Sequence, residues 1–198
     1  MCRLRSAHGA ALLIALMAML LMTALATALI LTTITETRIA SSYGAGIEAF
    51  YGADAAIERA IDDLRTIPDW SGLATKAATS TFVDGPPEGP RTLWDGATLD
   101  LGDETRMVRE GDGPPWRLFA YGALARMLPP GRLKSRAYVV VWVADSPDAP
   151  PPPGEEALSL LAQAYGPLGA RRSLRVVLTR KPIHDSKGIL VVSWREGH

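Results

Sequence analysis

From Ala10 to Thr35 the chain runs for 26 residues without a charged side chain, AALLIALMAMLLMTALATALILTTIT. Leu, Ala and Met dominate the run, all strong helix formers, and neither Pro nor Gly interrupts it. At ~1.5 Å per residue it makes a helix about 39 Å long. A bilayer core is ~30 Å thick, so this helix can span it with tilt. A cleaved secretory signal has an apolar core of only ~7–15 residues, so the pattern predicts a retained transmembrane helix over residues 10–35.

Beyond Ile39 the pattern turns amphipathic. Ile47, Phe50, Ile57, Ile61 and Leu64 recur at helical spacing, with Tyr51 and Ala60 beside them. Charged residues from Glu48 to Asp63 take most of the other faces, although Asp54 lies on the stripe itself. Gly44 and Gly46 are weak points, and Pro68 ends the helix. One helix is therefore expected from about residue 10 to about residue 66, its second part (36–66) an amphipathic continuation that must pack on something.

The remainder, residues 67–198, reads as a β-rich globular domain. Ala137–Ala144 is β-branched, aromatic and apolar on both faces, like a central strand. Ser173–Thr179 alternates, and Ile189–Trp194 reads as a last strand with Leu190, Val192 and Trp194 aligned. Trp116–Tyr121 and Thr92–Leu101 read as earlier strands. Ala157–Tyr165 fits helix and strand periods alike. The Gly166-Pro167-Leu168-Gly169 turn behind it favours a strand and a hairpin into Ala170–Lys181. Asp84–Pro90, Asp112–Pro115, Pro129–Gly131 and Ser146–Gly154 are loops, the last joining neighbouring strands. The expected fold class is α+β: a long N-terminal helix packed on an antiparallel sheet.

Charge sets the orientation. Arg3 and Arg5, with His8, precede the apolar run, while Glu36 and Arg38 after it cancel. The positive-inside rule puts the N-terminus in the cytoplasm and the rest outside. The 21 Lys and Arg less Arg3 and Arg5 leave 19 against 21 acidic residues, a net charge of −2. Neither a nucleic-acid binder nor a disordered acidic tail looks like this. The single cysteine, Cys2, allows no internal disulfide, and it precedes the apolar run, unlike a lipoprotein cysteine.

Candidate chemistry is sparse. No nucleophile–base pair, phosphate loop or metal spacing emerges, and Gly111-Asp112-Gly113 lacks the Gly-Lys-Ser/Thr of a P-loop. Asp145, Asp148, Glu155 and Glu156 flank the Pro-rich loop without calcium-loop spacing and read as a solvated loop. Arg171, Arg172, Arg175, Arg180 and Lys181 make a basic strand, read as protection of a sheet edge or contact with an anionic partner. The five tryptophans read as core or platform residues. No catalytic residue, metal or cofactor is expected.

Three steps in order carry a resemblance: Gly9-Ala10-Ala11-Leu12-Leu13, then Thr33-Ile34-Thr35-Glu36-Thr37-Arg38-Ile39-Ala40, then Ala49-Phe50-Tyr51-Gly52-Ala53-Asp54-Ala55-Ala56-Ile57. Over about residues 8–64 the chain resembles the PilX family of type IV pilus minor pilins. Gly52 stands for an Ala of the family pattern, and Asp54 for its Glu. The resemblance implies that prepilin peptidase cuts between Gly9 and Ala10, freeing a leader of residues 1–9, and methylates the new amine of Ala10. It implies a helix assembly interface at Ala11, Ile14, Ala15, Ala18, Glu36 and Arg38. Ala10, Ala24, Ala26 and Ala28 are further close-approach positions.

Partners would be other minor pilins, a major pilin or pseudopilins, prepilin peptidase, inner-membrane lipid and a tip adhesin, with no nucleic acid. The chain would sit once through the bacterial inner membrane, with its head in the periplasm or on the pilus. Major pilins carry Glu at the fifth mature position, where this chain has Ile14. That suits a subunit that primes or caps a filament; the blander reading is an ordinary signal anchor with no processing, against which Gly9 stands as the right residue in the right place. A type II secretion minor pseudopilin and a membrane-anchored periplasmic binding module are the alternatives.

Overall fold

The structure, a computed structural model, describes residues 4–70, 72–73, 79–111, 114–127, 134–145, 154–180 and 188–197, with side chains from residue 10 onward. The chain divides into two compact units, Met1–Tyr43 and Gly44–His198. Helix α1, Leu4–Thr66, runs through both and starts ahead of Ala10. It is unbroken at Gly44 and Gly46.

In the second unit the chain continues through β1 (Pro90–Thr92), β2 (Thr98–Asp100), α2 (Leu101–Glu110), β3 (Arg117–Ala123), β4 (Tyr138–Asp145), β5 (Glu156–Tyr165), β6 (Arg171–Arg180) and β7 (Leu190–Gly197). Strands β3-β4-β5-β6-β7 form one antiparallel sheet in chain order, and β1-β2 form a small ribbon. This is the expected α+β architecture. The ambiguous 157–165 segment is indeed a strand, with a tight turn at Pro167–Gly169 leading into β6.

One face of the sheet packs on residues 44–66 of α1, though not through the whole predicted stripe. Ile57, Ile61 and Leu64 are buried as expected, but Ile47 is 39% exposed and Tyr51 63%. Ala45, Ala49, Ala53, Ala56 and Ala60 are buried instead. The reason is close approach. A Cβ on Gly52 would lie 3.3 Å from both Ala164 Cβ and Leu124 Cδ2. Near Gly166 a Cβ would come within 3.2 Å of the Ala45 carbonyl oxygen and of Ala49 Cβ. Larger side chains would hold the helix off the sheet, so the small residues mark the contact.

Polar side chains of α1 anchor its surroundings. Asp63 accepts hydrogen bonds from Ser80 Oγ and from the Thr81 amide at 3.1 Å. Glu48 accepts from Ser135 Oγ and the Arg136 amide, both at 2.7 Å. At the helix C-terminus Trp70 Nε1 donates to the Leu64 carbonyl at 3.2 Å. Arg180 donates to the carbonyls of Ile67 and Pro68 while pairing with Glu156 at 2.7 Å. Trp70 thus satisfies a carbonyl that the helix end leaves orphaned, and Arg180 of β6 ties down the two residues that follow the helix.

The opposite face carries a second core, in which Trp116, Trp142, Tyr138 and Tyr165 meet Leu99 and Leu101. The single strand expected over Thr92–Leu101 is instead a hairpin followed by a helix. Leu93 and Ala97 close a turn that Gly96 (φ +85°) permits, and Leu101 begins α2. Asp100 caps α2, accepting from the amides of Gly102 and Asp103 at 2.8 and 3.0 Å.

The sheet edges differ. Along β3 the Ser80 amide donates to the Phe119 carbonyl, the Tyr121 amide to that of Phe82, and Val83 bridges Tyr121. Along β7, no described residue pairs with the outer side. Strand β6 lies between β5 and β7, so its arginines protect no edge; Lys181 lies outside the described residues. A register shift at Val192 also undoes the expected alignment of Leu190, Val192 and Trp194. Val191 opposes Leu178, Trp194 opposes Val176, and Leu190 opposes Thr179. Of the tryptophans, Trp70, Trp116 and Trp142 are core, whereas Trp94 is exposed under Arg136 and Trp194 is partly exposed.

Burial raises the phenol pKa of three tyrosines in this domain. Tyr138 is pushed up to about 12, with the Asp84 charge adding to the effect and Arg91 opposing it. Tyr165 and Tyr121 are also raised, chiefly by burial. Above pH ~10 the unfolded chain loses phenol protons that the folded chain keeps. Stability is therefore complete below that pH and falls as pH rises through the folded values. Melting followed by circular dichroism should show Tm declining between about pH 10 and 12, and less steeply in Tyr138→Phe. A flat profile across that window would contradict the assignment.

Candidate assembly interface

The first unit is helix alone. Every described residue from Ala10 to Tyr43 is exposed, and the segment is long and apolar enough to cross a membrane. Ile14 is 68% exposed, and Ala10, Ala11, Ala15 and Ala18 are likewise uncovered. Gly9 lies within α1, though its surroundings are outside the described side chains. Ala11, Ile14, Ala15 and Ala18 are spaced by three and four residues and share one side of the helix. Glu36 and Arg38, two residues apart, point to different sides; both are exposed, and neither ion-pairs with a described residue.

Six threonines lie between residues 23 and 37, and each satisfies its hydroxyl on a carbonyl of its own helix. Thr23 donates to the Met19 carbonyl and Thr27 to that of Thr23, both at 2.8 Å. Thr32 and Thr33 reach Ala28 and Leu29 at 3.0 Å, Thr35 reaches Leu31 at 2.9 Å, and Thr37 reaches Thr33 at 2.8 Å. No threonine hydroxyl of the segment needs a partner from outside, which removes most of the desolvation cost. What remains is a surface of methyl groups, alanines and long apolar side chains. Between helices in lipid such a surface associates through packing and small residues rather than through a hydrophobic driving force.

Among the described residues, no three His, Cys, Asp or Glu side chains gather as a metal site would need. Glu156 of the proposed loop cluster is committed to Arg180, and Asp148 lies outside the described residues.

Residues 8–58 match the family model described as PilX N-terminal. The match takes in all three sequence steps that carried the resemblance and ends within α1, leaving the sheet domain outside it. No curated protein and no solved structure matches the chain.

Proposed function

We propose that this chain, whose N-terminal segment is that of the PilX family, is a minor pilin-like structural subunit of a type IV pilus. It primes or caps the filament through its membrane helix. The observation that carries this reading is the uncovered helix over Ala10–Tyr43, apolar through Thr35, within the PilX match. In the proposed arrangement the chain crosses the bacterial inner membrane once, with residues 1–9 on the cytoplasmic side. Residues 10–35 span the membrane, residues 36–66 continue as the stalk, and residues 67–198 form the exported head.

Prepilin peptidase removes the leader after Gly9 and methylates Ala10. Ala11, Ile14, Ala15 and Ala18 then meet the helices of other pilins, with Glu36 and Arg38 at the membrane exit. A carboxylate at the fifth mature position would need a cation in lipid. Ile14 needs none, which suits a place at the end of a filament where no neighbouring amine is on offer. The reading is structural and non-enzymatic.

Intact-mass analysis of the chain purified from membranes tests it. The expected species lacks residues 1–9 and carries one added methyl group, and Gly9→Val should retain the leader. A wild-type chain still beginning at Met1 or Cys2 would refute processing. Co-purification should bring down other pilin-like subunits. A set belonging to a secretion machine would favour the pseudopilin reading, and an empty lane would count against both.

A further inference from the structure

Strand β6 is interior, so its arginines need another reason to face outward. On the side of the sheet turned away from α1, Leu161 of β5, Arg175 of β6 and Arg195 of β7 form one cross-strand row. The two guanidinium-bearing residues are direct neighbours, and like charges so placed repel. Neither has a carboxylate partner among the described residues. Arg171, four positions away, is already committed to Glu104 at 2.7 Å and to Gln163 at 2.8 Å. Arg172 answers Glu196 at 3.7 Å.

Arg175 is not a loose surface charge. Its Cζ lies 5.3 Å from the ring centre of buried Trp116, and its Nε is buried without an acceptor. A donor in that state costs free energy unless an acceptor arrives. Two hollows flank the row. One of about 270 Å³ is walled by Met107, Val108, Leu161 and Trp116, and one of about 410 Å³ by Gln163, Ser173 and Gly197; Arg171 borders both. Only the second hollow reaches β7, at Gly197; along the outer edge of that strand run backbone donors and acceptors that no described residue occupies.

From this juxtaposition we infer that the β6–β7 face is a binding site for an extended acidic peptide segment of a partner protein. The segment lies along the edge of β7 and delivers a carboxylate to Arg175 and Arg195. The strand edge supplies main-chain hydrogen bonds, and the arginines supply selection for negative charge. A planar carboxylate matches the fork of a guanidinium and offsets one of the two facing charges, which relieves their repulsion. The surface exists in the chain whether or not the subunit enters a filament, so this site can stand or fall apart from the pilus reading.

The test uses the full-length chain in zwitterionic micelles and a short fluorescent peptide alternating valine with glutamate, followed by anisotropy. Saturable binding is expected, with the same peptide bearing glutamine for glutamate binding about tenfold more weakly. Arg195→Gln, on an exposed strand, should weaken binding about tenfold with Tm no lower than the parent's, and Arg175→Gln should weaken it comparably. Arg65→Gln, whose side chain pairs with Asp62 on the helix surface, should bind like the parent. Equal binding of the two peptides, or of Arg195→Gln and the parent, would overturn the proposal. So would binding of inorganic phosphate alone with no binding of the glutamate peptide.

Discussion

Replacing Trp142 by alanine is expected to destabilise the sheet domain by about 3–5 kcal/mol, a large part of the ~5–15 kcal/mol that holds a typical domain together. Trp142 is fully buried on the interior strand β4, on the face opposite α1. Its Nε1 donates to Thr105 Oγ1 at 3.0 Å, so it fixes α2 as well as filling the second core. Hydrogen exchange should show residues 101–110 losing protection first, while residues 49–64, which pack on the other face, keep theirs longer. Thr105→Val removes the hydrogen bond and keeps the ring, so it should cost only about 1 kcal/mol. Equal losses in the two variants would mean that the indole's bulk contributes little.

Leu21→Arg should remove the chain from the membrane. Leu21 lies near the middle of the uncharged run and is exposed on α1. At the centre of a membrane helix Leu is favourable by roughly 0.3–0.6 kcal/mol and Arg unfavourable by about 2.5–3.5 kcal/mol. After alkaline extraction of membranes the parent chain should stay in the pellet and the variant should shift to the supernatant or be degraded. Leu21→Ile should behave like the parent. Retention of the arginine variant in the pellet would show that the segment is not held across hydrocarbon.

Some of the molecule is visible in local pattern, and some is not. The runs that became β4, β5 and β6 show themselves through β-branched content and turn residues, because strand formation responds to neighbours along the chain. Helix α2 escaped notice because it is mostly polar, with Leu101 its only fully buried apolar side chain. Its signal was the cap: Asp100, then Asp103 and Glu104 in the first turn, with Arg109 in the last. The apolar stripe of α1 does not mark its buried side at Ile47 and Tyr51, because close approach to the sheet selects small side chains over large apolar ones. Against a sheet at close range the buried positions are Ala49, Ala53 and Ala56. Asp63 and Glu48 looked like solvated charges, yet they hold segments 17 and 87 residues away.

The sequence by itself determined the long apolar helix, its end near Pro68, the PilX-like start and the alternation of most strands. Each depends on spacing within a few turns or a few residues, and such spacing acts before any distant contact forms. Tertiary structure alone decided which side of residues 44–66 meets the sheet and that β6 is interior. It also placed Arg195 opposite Arg175 and, among the described residues, left the outer edge of β7 unpaired. Those outcomes depend on strand order and helix–sheet distance, which come from packing between segments far apart in the chain and leave no period in any one of them.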